Sequence, residues 1–292
     1  MRMEKNTENI EMDPTSFPNS YSKNEFSLEG KVIVVTGGTG ILGEAFINGI
    51  TQAGGAVGIL GRNHKIADER TRFIQQKGGH AISLIADVTN EQQLSDACEK
   101  MLSAFGKIDG LVNAAGGNMP QAVLQPEEDI FTLNMPALQQ VMQLNLFGSL
   151  LPTQVFGKAI KNNGAGSIVN ISSMAAQHAI TKVLGYSLAK AAIDCYTKWF
   201  AVELAKRYGD KIRMNAIAPG FFLTEQNRIL LTKEDGSLTE RGNLVISKTP
   251  FNRFGNPDEL TGALVWLLSD ASKFVTGSNI TVDGGFSIFG GV

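Results

Sequence analysis

The chain has 292 residues, of which 43% are hydrophobic and 18% are charged, a composition typical of globular proteins and unlike that of disordered chains. Acidic and basic residues nearly balance, and the formal net charge of −2 lacks the basic excess expected of a nucleic-acid-binding protein. The longest apolar run, at Ala263–Leu268, is far shorter than the roughly 20 residues that span a bilayer. The sequence therefore predicts neither a nucleic-acid partner nor a membrane helix.

The cysteines and histidines predict no metal site. Cys98 and Cys195 are the only cysteines and form no CxxC pair, so neither a disulfide framework nor a cysteine zinc site is indicated, and we expect a cytoplasmic protein. The three histidines, His64, His80 and His178, are scattered without the spacing of a ligand motif.

The first 27 residues differ in composition from the rest. They are rich in Asn, Ser, Glu and Pro and show no apolar period, which predicts a flexible N-terminal extension over residues 1–27. This segment also lacks the continuous apolar stretch of a secretory signal. We expect residues 28–292 to form one domain.

From Lys31 onward, short β-branched runs alternate with longer helical segments, the pattern of a parallel sheet covered by helices on both faces. The runs are mostly apolar without alternation, as in strands buried on both sides. The predicted strands are Val32–Thr36, Val57–Leu60, Ala81–Ala86, Gly110–Asn113, Ser167–Ser172, Arg213–Ile217 and Asn279–Val282. The fold class is therefore α/β, a single-domain, Rossmann-type, doubly wound parallel sheet of about seven strands.

The helical segments carry recognisable start signals. Thr89 followed by Gln92 has the spacing of a capping box, and Asn256 before Pro257 predicts an N-cap with proline at the first helical position. The predicted helices include Gly43–Ala53, Glu91–Phe105, Ala137–Lys161, Tyr186–Tyr208 and Pro257–Leu268.

A glycine-rich turn follows the first strand. In VIVVTGGTGILGEAF, Gly37, Gly40 and Gly43 stand between a buried strand and a helix start, where missing side chains allow a tight turn and close approach of a pyrophosphate. The amino end of the following helix favours an anion. This context predicts dinucleotide binding.

The ends of the next strands bear on the choice of nucleotide. The second strand ends at Gly61 and Arg62, with no carboxylate to grip a ribose diol, which favours NADP over NAD because Arg accommodates the 2′-phosphate. Asp87 and the turn from Asn113 to Gly116 also follow strands, at the edge where open α/β sheets bind ligands.

A possible catalytic group lies further along the chain. Tyr186 and Lys190 are four residues apart on a predicted helix, so they share one face. Ser172 and Ser173 end a buried strand, with Ser173 thirteen residues before Tyr186, and Asn145 interrupts an otherwise apolar helix. A nearby ammonium would lower the pKa of a tyrosine toward the range useful for acid–base catalysis.

From about Leu28 to Phe286 the chain resembles the short-chain dehydrogenases/reductases. TGGTGILG, NAAG, Asn145, Ser173, YSLAK, the Pro219-Gly220 turn with Thr224, and VDGG occur in the family's order. The resemblance implies an NAD(P)-dependent oxidoreductase in which Tyr186 is the acid/base and Lys190 holds the cofactor ribose. It further implies that Ser173 positions the substrate oxygen and Asn145 anchors a proton-relay water; we interpret Ser172 as filler at the strand end.

The same motifs imply a set of cofactor contacts. One departure is that Ile41 stands where the family often has the middle glycine of this turn. Besides Tyr186 and Lys190, the cofactor-binding residues implied are Gly37, Thr39, Gly40, Ile41, Leu42, Arg62, Asn63, Asp87, Val88, Asn113, Ala114, Ala115, Gly116, Pro219, Gly220, Phe222 and Thr224.

The substrate is expected to be a small molecule, and two segments suggest its class. AAGGN at Ala114–Asn118 and the stretch from Phe221 to Gly242 resemble the sugar-acid branch of the family, especially enzymes that interconvert D-mannonate and D-fructuronate, with gluconate 5-dehydrogenase as a relative. A carboxylate substrate favours an Arg or Lys in the pocket. The candidate substrate contacts are Asn118, Lys182, Arg228 and Arg241.

Other functions remain open at this stage. A 3-ketoacyl-carrier-protein reductase would dock an acidic carrier, which a net charge of −2 does not favour. A redox-sensing nucleotide-binding module would not need both Tyr186 and Lys190. The family resemblance also implies a homo-oligomer, commonly a tetramer, formed through helices corresponding to the apolar stretches at Ala189–Phe200 and Ala263–Leu268.

Overall fold

The centre of the molecule is a parallel sheet, seen in a computed structural model that describes residues 24–291 except for the side chains of residues 225 and 226. The sheet has seven strands in the order β3-β2-β1-β4-β5-β6-β7, which confirms the predicted fold class. The strands are β1 Val32–Thr36, β2 Ala56–Gly61, β3 Ala81–Ile85, β4 Gly110–Asn113, β5 Gly166–Ile171, β6 Ile212–Pro219 and β7 Asn279–Val282.

Helices cover both faces of this sheet. The α-helices of the described chain are α1 Ile41–Gln52, α2 His64–Gln76, α3 Glu91–Phe105, α4 Met135–Met142, α5 Gly148–Asn163, α6 Leu184–Tyr208, α7 Glu225–Leu231, α8 Glu240–Ser247 and α9 Thr261–Leu268. Buried side chains of α1, α2 and α9, among them Phe46 and Leu264, pack on one face. Those of α3, α5 and α6, among them Met101 and Phe156, pack on the other.

The order of the strands creates a crevice. Strand β1 pairs with β2 on one side and with β4 on the other, so that Thr36 lies opposite both Leu60 and Asn113. The chain winds away from β1 in opposite directions at this point, and such switch points bind ligands at the carboxyl ends of the strands.

Two local predictions are corrected by the structure. The N-cap of α3 is Asn90, whose side chain accepts a hydrogen bond from Gln93 N, whereas the Thr89 hydroxyl binds the Asp87 carboxylate. The helix predicted at Ala137–Lys161 is present as α4 and α5, but a π-helical turn at Gln143–Phe147 joins them in place of regular α-helix. The N-cap predicted at Asn256 is present, although a 3₁₀ turn precedes α9.

The last residues of the predicted extension, 24–27, are described by the structure and make backbone hydrogen bonds. Most of the predicted extension, residues 1–23, lies outside the described residues, but Glu25 accepts a backbone hydrogen bond from Ala271 and Ser27 N binds Asn24 O. Within residues 24–291 no helix is both long and apolar enough to cross a bilayer. In that same range no group of three or more His, Cys, Asp or Glu side chains forms a metal-binding cluster.

Candidate active site

The glycine turn after β1 leaves no space for a side chain at two of its glycines. Gly37 has φ +65°, and a Cβ there would lie 2.7 Å from Ala114 O. A Cβ on Gly43 would strike the carbonyl oxygen of Gly37. Gly40 differs, because its Cβ position is 3.4 Å from the nearest atom and the residue is exposed. Internal packing thus fixes Gly37 and Gly43, while Gly40 faces open space.

The amino end of α1 fits a phosphate group. Gly40 is the N-cap of α1 and provides no side-chain cap, so backbone N–H groups of the first turn keep free hydrogen-bonding capacity beside the positive end of the helix dipole. Ile41 is the first helical residue and is half-buried, as is Leu42. The departure at Ile41 therefore leaves the cradle for a pyrophosphate in place.

A hydroxyl joins the ends of β1 and β4. Thr36 Oγ1 accepts hydrogen bonds from Ala114 N at 3.0 Å and Ala115 N at 3.1 Å, and donates to Val112 O at 3.3 Å. The predicted cofactor residues of the NAAG turn are thereby brought against the glycine turn.

Arg70 of α2 is a residue of this region that sequence reasoning missed. Its Nη1 donates to Gly38 O at 2.5 Å and to Gly40 O at 2.9 Å, and its Nη2 donates to Glu44 Oε2 at 2.7 Å. Burial lowers the pKa of Arg70, and Glu44 counteracts that effect. The guanidinium thus donates hydrogen bonds to two carbonyl oxygens of the turn. No local sequence pattern predicts this contact, because these backbone partners lie 30 and 32 residues away in the chain.

The end of β2 leaves little room for an acidic side chain. A Cβ on Gly61 would lie 2.6 Å from Thr39 Oγ1. Arg62 is 76% exposed in its side chain, and its Nη1 lies 3.6 Å from Asp87 Oδ2. Hydrogen bonds from Thr89 lower the pKa of Asp87, which keeps that carboxyl ionised near Arg62.

Three of the predicted cofactor residues have structural partners within the fold. Asn63 caps α2 by accepting a hydrogen bond from Ile66 N. Val88 is buried in the core, and a Cβ on Gly148 would lie 2.8 Å from it. The Asn113 side chain is buried as well and donates to Thr153 Oγ1 and Asn170 Oδ1, each at 2.9 Å. These side chains therefore support the fold at the positions where the cofactor was expected.

The predicted catalytic side chains converge beyond β5. The Ser173 side chain is close enough to the Tyr186 hydroxyl to act on it and lower its pKa. Lys190 Nζ lies 5.5 Å from the centroid of the Tyr186 ring and donates to Ile171 O at 2.7 Å. Ser173 Oγ also accepts from Ala175 N at 3.1 Å, which fixes its hydroxyl at the strand end. A phenol, a hydroxyl and an ammonium therefore share one site.

Asn145 lies in the π-helical turn and holds the neighbouring loop. Its Oδ1 accepts from Gly117 N at 3.0 Å, and its Nδ2 donates to Gly117 O at 2.6 Å and to Val141 O at 2.8 Å. A Cβ on Gly116 would lie 2.7 Å from Asn145 Oδ1 and 3.4 Å from Lys190 Nζ. The Asn145 amide thus binds backbone, and π-turns of this kind are frequent at functional sites.

The pKa values of the catalytic pair differ from the sequence-based expectation. Burial raises the pKa of Tyr186, and the hydrogen bond with Ser173 only partly counteracts this. Burial also lowers the pKa of Lys190 to about 8, with Asp194 acting in the opposite direction. The expected lowering of the tyrosine pKa is therefore wrong, because desolvation of the phenolate dominates.

Ser172 requires a second correction. Its hydroxyl donates a short hydrogen bond to Asp194 Oδ1, so Ser172 is not filler at the strand end. The residue is buried and connects β5 to α6. No local sequence pattern predicts this pair, because its members are 22 residues apart.

A cavity of about 470 Å³ opens beside the catalytic side chains. Ser173, Tyr186 and Leu42 line this cavity, so it extends from the amino end of α1 to the catalytic side chains. Further predicted residues on its wall are Asn118, Pro219, Gly220, Phe222 and Thr224. Much of the remaining wall is apolar, with contributions from Met119, Val123, Ile180, Val183, Phe221 and Leu230.

Of the three basic residues predicted to contact the substrate, one lines the cavity. Arg241 of α8 lines the cavity, whereas Lys182 and Arg228 are not among the described lining residues. Arg241 Nη1 donates to Thr181 Oγ1 at 3.2 Å and its Nη2 to Thr181 O at 3.3 Å. Partial burial lowers its pKa, and within the described side chains no carboxylate pairs with it. Lys182 has φ +76°, a strained conformation for a non-glycine residue.

Asn118 presents an unused acceptor. Its side chain lines the cavity, and its buried Oδ1 has no hydrogen-bond partner among the described residues. Buried polar atoms are nearly always hydrogen-bonded, so this oxygen is suited to receive a donor from a bound molecule.

Comparison with known proteins places these features in context. The sequence profile of the family described as enoyl-(acyl carrier protein) reductase matches residues 39–287. The uncharacterized oxidoreductase UxuB of Bacillus subtilis is 40% identical over 275 residues, which cover 91% of this chain and 98% of that protein.

Solved structures show the same architecture. The structure of a proposed D-mannonate oxidoreductase of Haemophilus influenzae with bound NAD aligns with a TM-score of 0.83 at 39% identity, covering 91% of this chain and 98% of the other. A gluconate 5-dehydrogenase of Burkholderia cenocepacia, in complex with NADP and tartrate, aligns with a TM-score of 0.80 at 31% identity, covering 90% and 97%.

Proposed function

The chain belongs to the short-chain dehydrogenase/reductase family of NAD(P)-dependent oxidoreductases, and we propose that it acts on a sugar acid. The proposed reaction interconverts a keto and a hydroxyl group, with D-fructuronate and D-mannonate as the first pair to test. Support comes from similarity to a proposed D-mannonate oxidoreductase and to a gluconate 5-dehydrogenase.

The observation that carries this proposal is the position of Arg241. Its guanidinium is partly buried on the wall of the cavity that Ser173 and Tyr186 also line. A cation removed from water without a paired carboxylate is costly, and a bidentate carboxylate is its best partner. A substrate carboxylate would supply that charge, while Asn118 Oδ1 would accept a hydrogen bond from a sugar hydroxyl.

The catalytic roles follow from the chemistry of the side chains. Bound NAD(P) supplies the hydride in reduction and accepts it in oxidation. In the reducing direction, we assign Tyr186 as the proton donor to the developing alkoxide and Ser173 as the residue that orients the same oxygen. In the oxidising direction the same two steps run in reverse, and the Tyr186 phenolate accepts the proton of the substrate hydroxyl.

The other two residues act on the surroundings. Lys190 places a positive charge near the phenol and the predicted ribose position, and Asn145 holds the backbone of Gly117 beside it. Oxidation would require the tyrosine to lose its proton, so it is expected to gain in rate as the pH rises.

For the nucleotide, the proposal is NADP in preference to NAD. The strand end at Gly61 carries no carboxylate and leaves no space for one beside Thr39. The exposed guanidinium of Arg62 can turn from Asp87 toward a 2′-phosphate. Both nucleotides must be tested, because the similar structures contain NAD in one case and NADP in another.

A homo-oligomer, most simply a tetramer as the family resemblance implies, is part of the proposal. Helix α6 exposes an apolar row that includes Leu184, Leu188, Trp199 and Val202. Contiguous exposed apolar surface on this scale is typical of an interface, and light scattering of the purified protein measures the stoichiometry.

The decisive experiment measures substrate preference with and without Arg241. A panel of hexuronates, aldonates and uncharged ketoses is assayed with both nucleotides by nicotinamide absorbance. We expect D-fructuronate reduction, and we expect Arg241→Gln to raise its KM about 10- to 100-fold, the loss typical of a charged hydrogen-bonded pair. The KM of an uncharged ketose should change little.

The matched control is Arg228→Gln, which removes an exposed arginine one helix earlier. It should leave both KM values near those of the wild type. Equal effects of Arg241→Gln on charged and uncharged substrates would remove the carboxylate-anchor role, and absence of turnover with every sugar acid would remove the substrate assignment.

A further inference from the structure

Three side chains one helical turn apart on α6 each hold a different atom at the end of β5. The Ser173 side chain acts on the Tyr186 hydroxyl and lowers its pKa, Lys190 Nζ donates to Ile171 O at 2.7 Å, and Asp194 accepts from Ser172 Oγ. Residues spaced by four lie on one face of a helix. This face therefore contacts residues 173, 171 and 172 at the strand end.

Asp194 is the member of this row to which neither the sequence motifs nor the roles above assign a function. It is half-buried, and its Oδ2 also receives a long hydrogen bond from Gln177 Nε2 at 3.4 Å. Ser172 itself is buried and is fixed by its backbone N–H, which donates to Ile217 O at 2.8 Å. The carboxylate is thus attached to a rigid part of the sheet.

We propose that Asp194 is a positioning residue that fixes the end of β5 against α6 through Ser172 and supplies the negative charge that balances the buried ammonium of Lys190. The proposal rests on the role assigned above to Lys190. It does not depend on the identity of the substrate.

Charge balance at Lys190 is needed for a physical reason. The ammonium is buried, with the Ile171 carbonyl as its hydrogen-bond acceptor, and a neutral acceptor offsets only part of the desolvation of a charge. Among the described titratable groups, the centroid of the Tyr186 ring lies 5.5 Å from the ammonium, and Asp194, one turn further along α6, acts on it through its charge without a direct ion pair. The adjoining elements contribute Gly116 and, beyond it, the neutral amide of Asn145.

The direction of the effect follows from these contacts. Burial lowers the pKa of Lys190 to about 8 and Asp194 opposes that lowering. Removing the negative charge must therefore lower the Lys190 pKa further, so that the ammonium is lost at a lower pH. Nucleotide binding that depends on the ammonium would then be lost at a lower pH than in the wild type.

Binding of NADPH, followed by its fluorescence from pH 6 to pH 10, tests this without any substrate; NADH replaces it if NADH binds more tightly. In the wild type we expect affinity to fall at alkaline pH, and Lys190→Met should remove that transition. In Asp194→Asn the midpoint should move down by about one pH unit, the lower end of the effect of an opposite charge.

Two further variants separate charge from geometry. Ser172→Ala keeps the carboxylate but removes its donor, so the midpoint should stay within about 0.3 units of the wild type while kcat on any reducible substrate falls. Asp194→Glu keeps the charge and should also hold the midpoint, which preserves the test if Asp194→Asn does not fold.

The matched control for charge is Asp210→Asn, at an 88% exposed side chain beyond the end of α6. It should leave the midpoint unchanged. An unshifted midpoint in Asp194→Asn, or a shift in Asp194→Glu as large as that expected of the amide, would overturn the proposal. If turnover of sugar acids is absent but the midpoint shifts as expected, the substrate assignment fails and this inference stands.

Discussion

The glycine turn after β1 and the segment from Phe221 to Gly242 both border the candidate site, but different atoms hold them in place. In the turn, missing side chains make room for backbone: a Cβ on Gly37 would reach Ala114 O. In the second segment, side chains make the contacts beside the cavity, as when Arg241 binds Thr181 or Thr239 Oγ1 donates to Leu230 O. At its end, however, a Cβ on Gly242 would strike Leu231 O, so there this segment shares the backbone constraint of the turn.

This difference has a consequence for function. A backbone collision admits only glycine, so the residue types of the nucleotide region are closely constrained. A cavity wall formed by side chains accepts substitutions that keep its shape, and such substitutions can alter substrate specificity without disturbing the fold. We therefore expect the two regions to respond differently to mutation.

The largest effect is expected where the two regions meet, at Tyr186. Tyr186→Phe removes the proton donor but keeps the ring, so turnover should fall about 10²- to 10⁴-fold, the usual contribution of general acid catalysis. Affinity for the reduced nucleotide should remain close to that of the wild type. Steady-state kinetics and fluorescence titration on one preparation measure both quantities.

The control for this substitution is a tyrosine outside the site. Tyr208, at the exposed end of α6, can be changed to Phe in the same way and should keep full turnover. Turnover of Tyr186→Phe at the wild-type rate would contradict its assignment as proton donor.

The second prediction separates two glycines of one turn. Gly43→Ala places a methyl group against the Gly37 carbonyl, and we expect it to lower the free energy of unfolding by about 1–3 kcal/mol, as overpacking usually does, and to weaken nucleotide binding. Gly40→Ala, whose nearest neighbour is 3.4 Å away, should unfold like the wild type. Urea unfolding compares the pair.

Gly40→Ala also tests the cradle itself. Because Gly40 faces open space at the uncapped end of α1, a methyl group there should weaken nucleotide binding without loss of stability. Equal stability losses in both variants would show that the turn is held by something other than the predicted backbone contact.

The sequence predicted most of the fold because buried parallel strands leave a direct signal. The bounds of β1, β4 and β7 agree with the predicted Val32–Thr36, Gly110–Asn113 and Asn279–Val282. The first two are short, buried, mostly apolar runs between turns, whereas β7 is a half-buried strand at the sheet edge. The bounds of α3, Glu91–Phe105, also agree with the prediction, but its capping residue does not, because Thr89 and Asn90 can both cap a helix and Asp87 engages the threonine.

The site was predictable only where a local motif exists. Tyr186, Lys190 and Ser173 stand at a recognisable spacing, and the structure places them together. Arg70 and Asp194 were missed because their partners are distant in the chain and arginines or aspartates on helices are usually solvated. Only packing of α2 and α6 onto the sheet brings these charges to the glycine turn and to Ser172.

The smallest expected effect concerns the end of β2. Here the atoms that obstruct a Cβ belong to a side chain, that of Thr39, and not to the backbone. Gly61→Asp adds a carboxylate that could grip a ribose diol, but its Cβ would lie 2.6 Å from Thr39 Oγ1 and 2.8 Å from Thr39 Cγ2. The single substitution should therefore change the ratio of NADH to NADPH affinity by less than about tenfold, because the new side chain cannot settle beside Thr39.

Adding Thr39→Ala removes both obstructing atoms, and the double variant should turn the preference toward NADH by more than the two single variants together, a coupling of about 1 kcal/mol. Fluorescence titration of the wild type, both single variants and the double variant measures this coupling. If Gly61→Asp alone prefers NADH as strongly as the double variant does, Thr39 does not limit this position, and the end of β2 tolerates change as the substrate wall does.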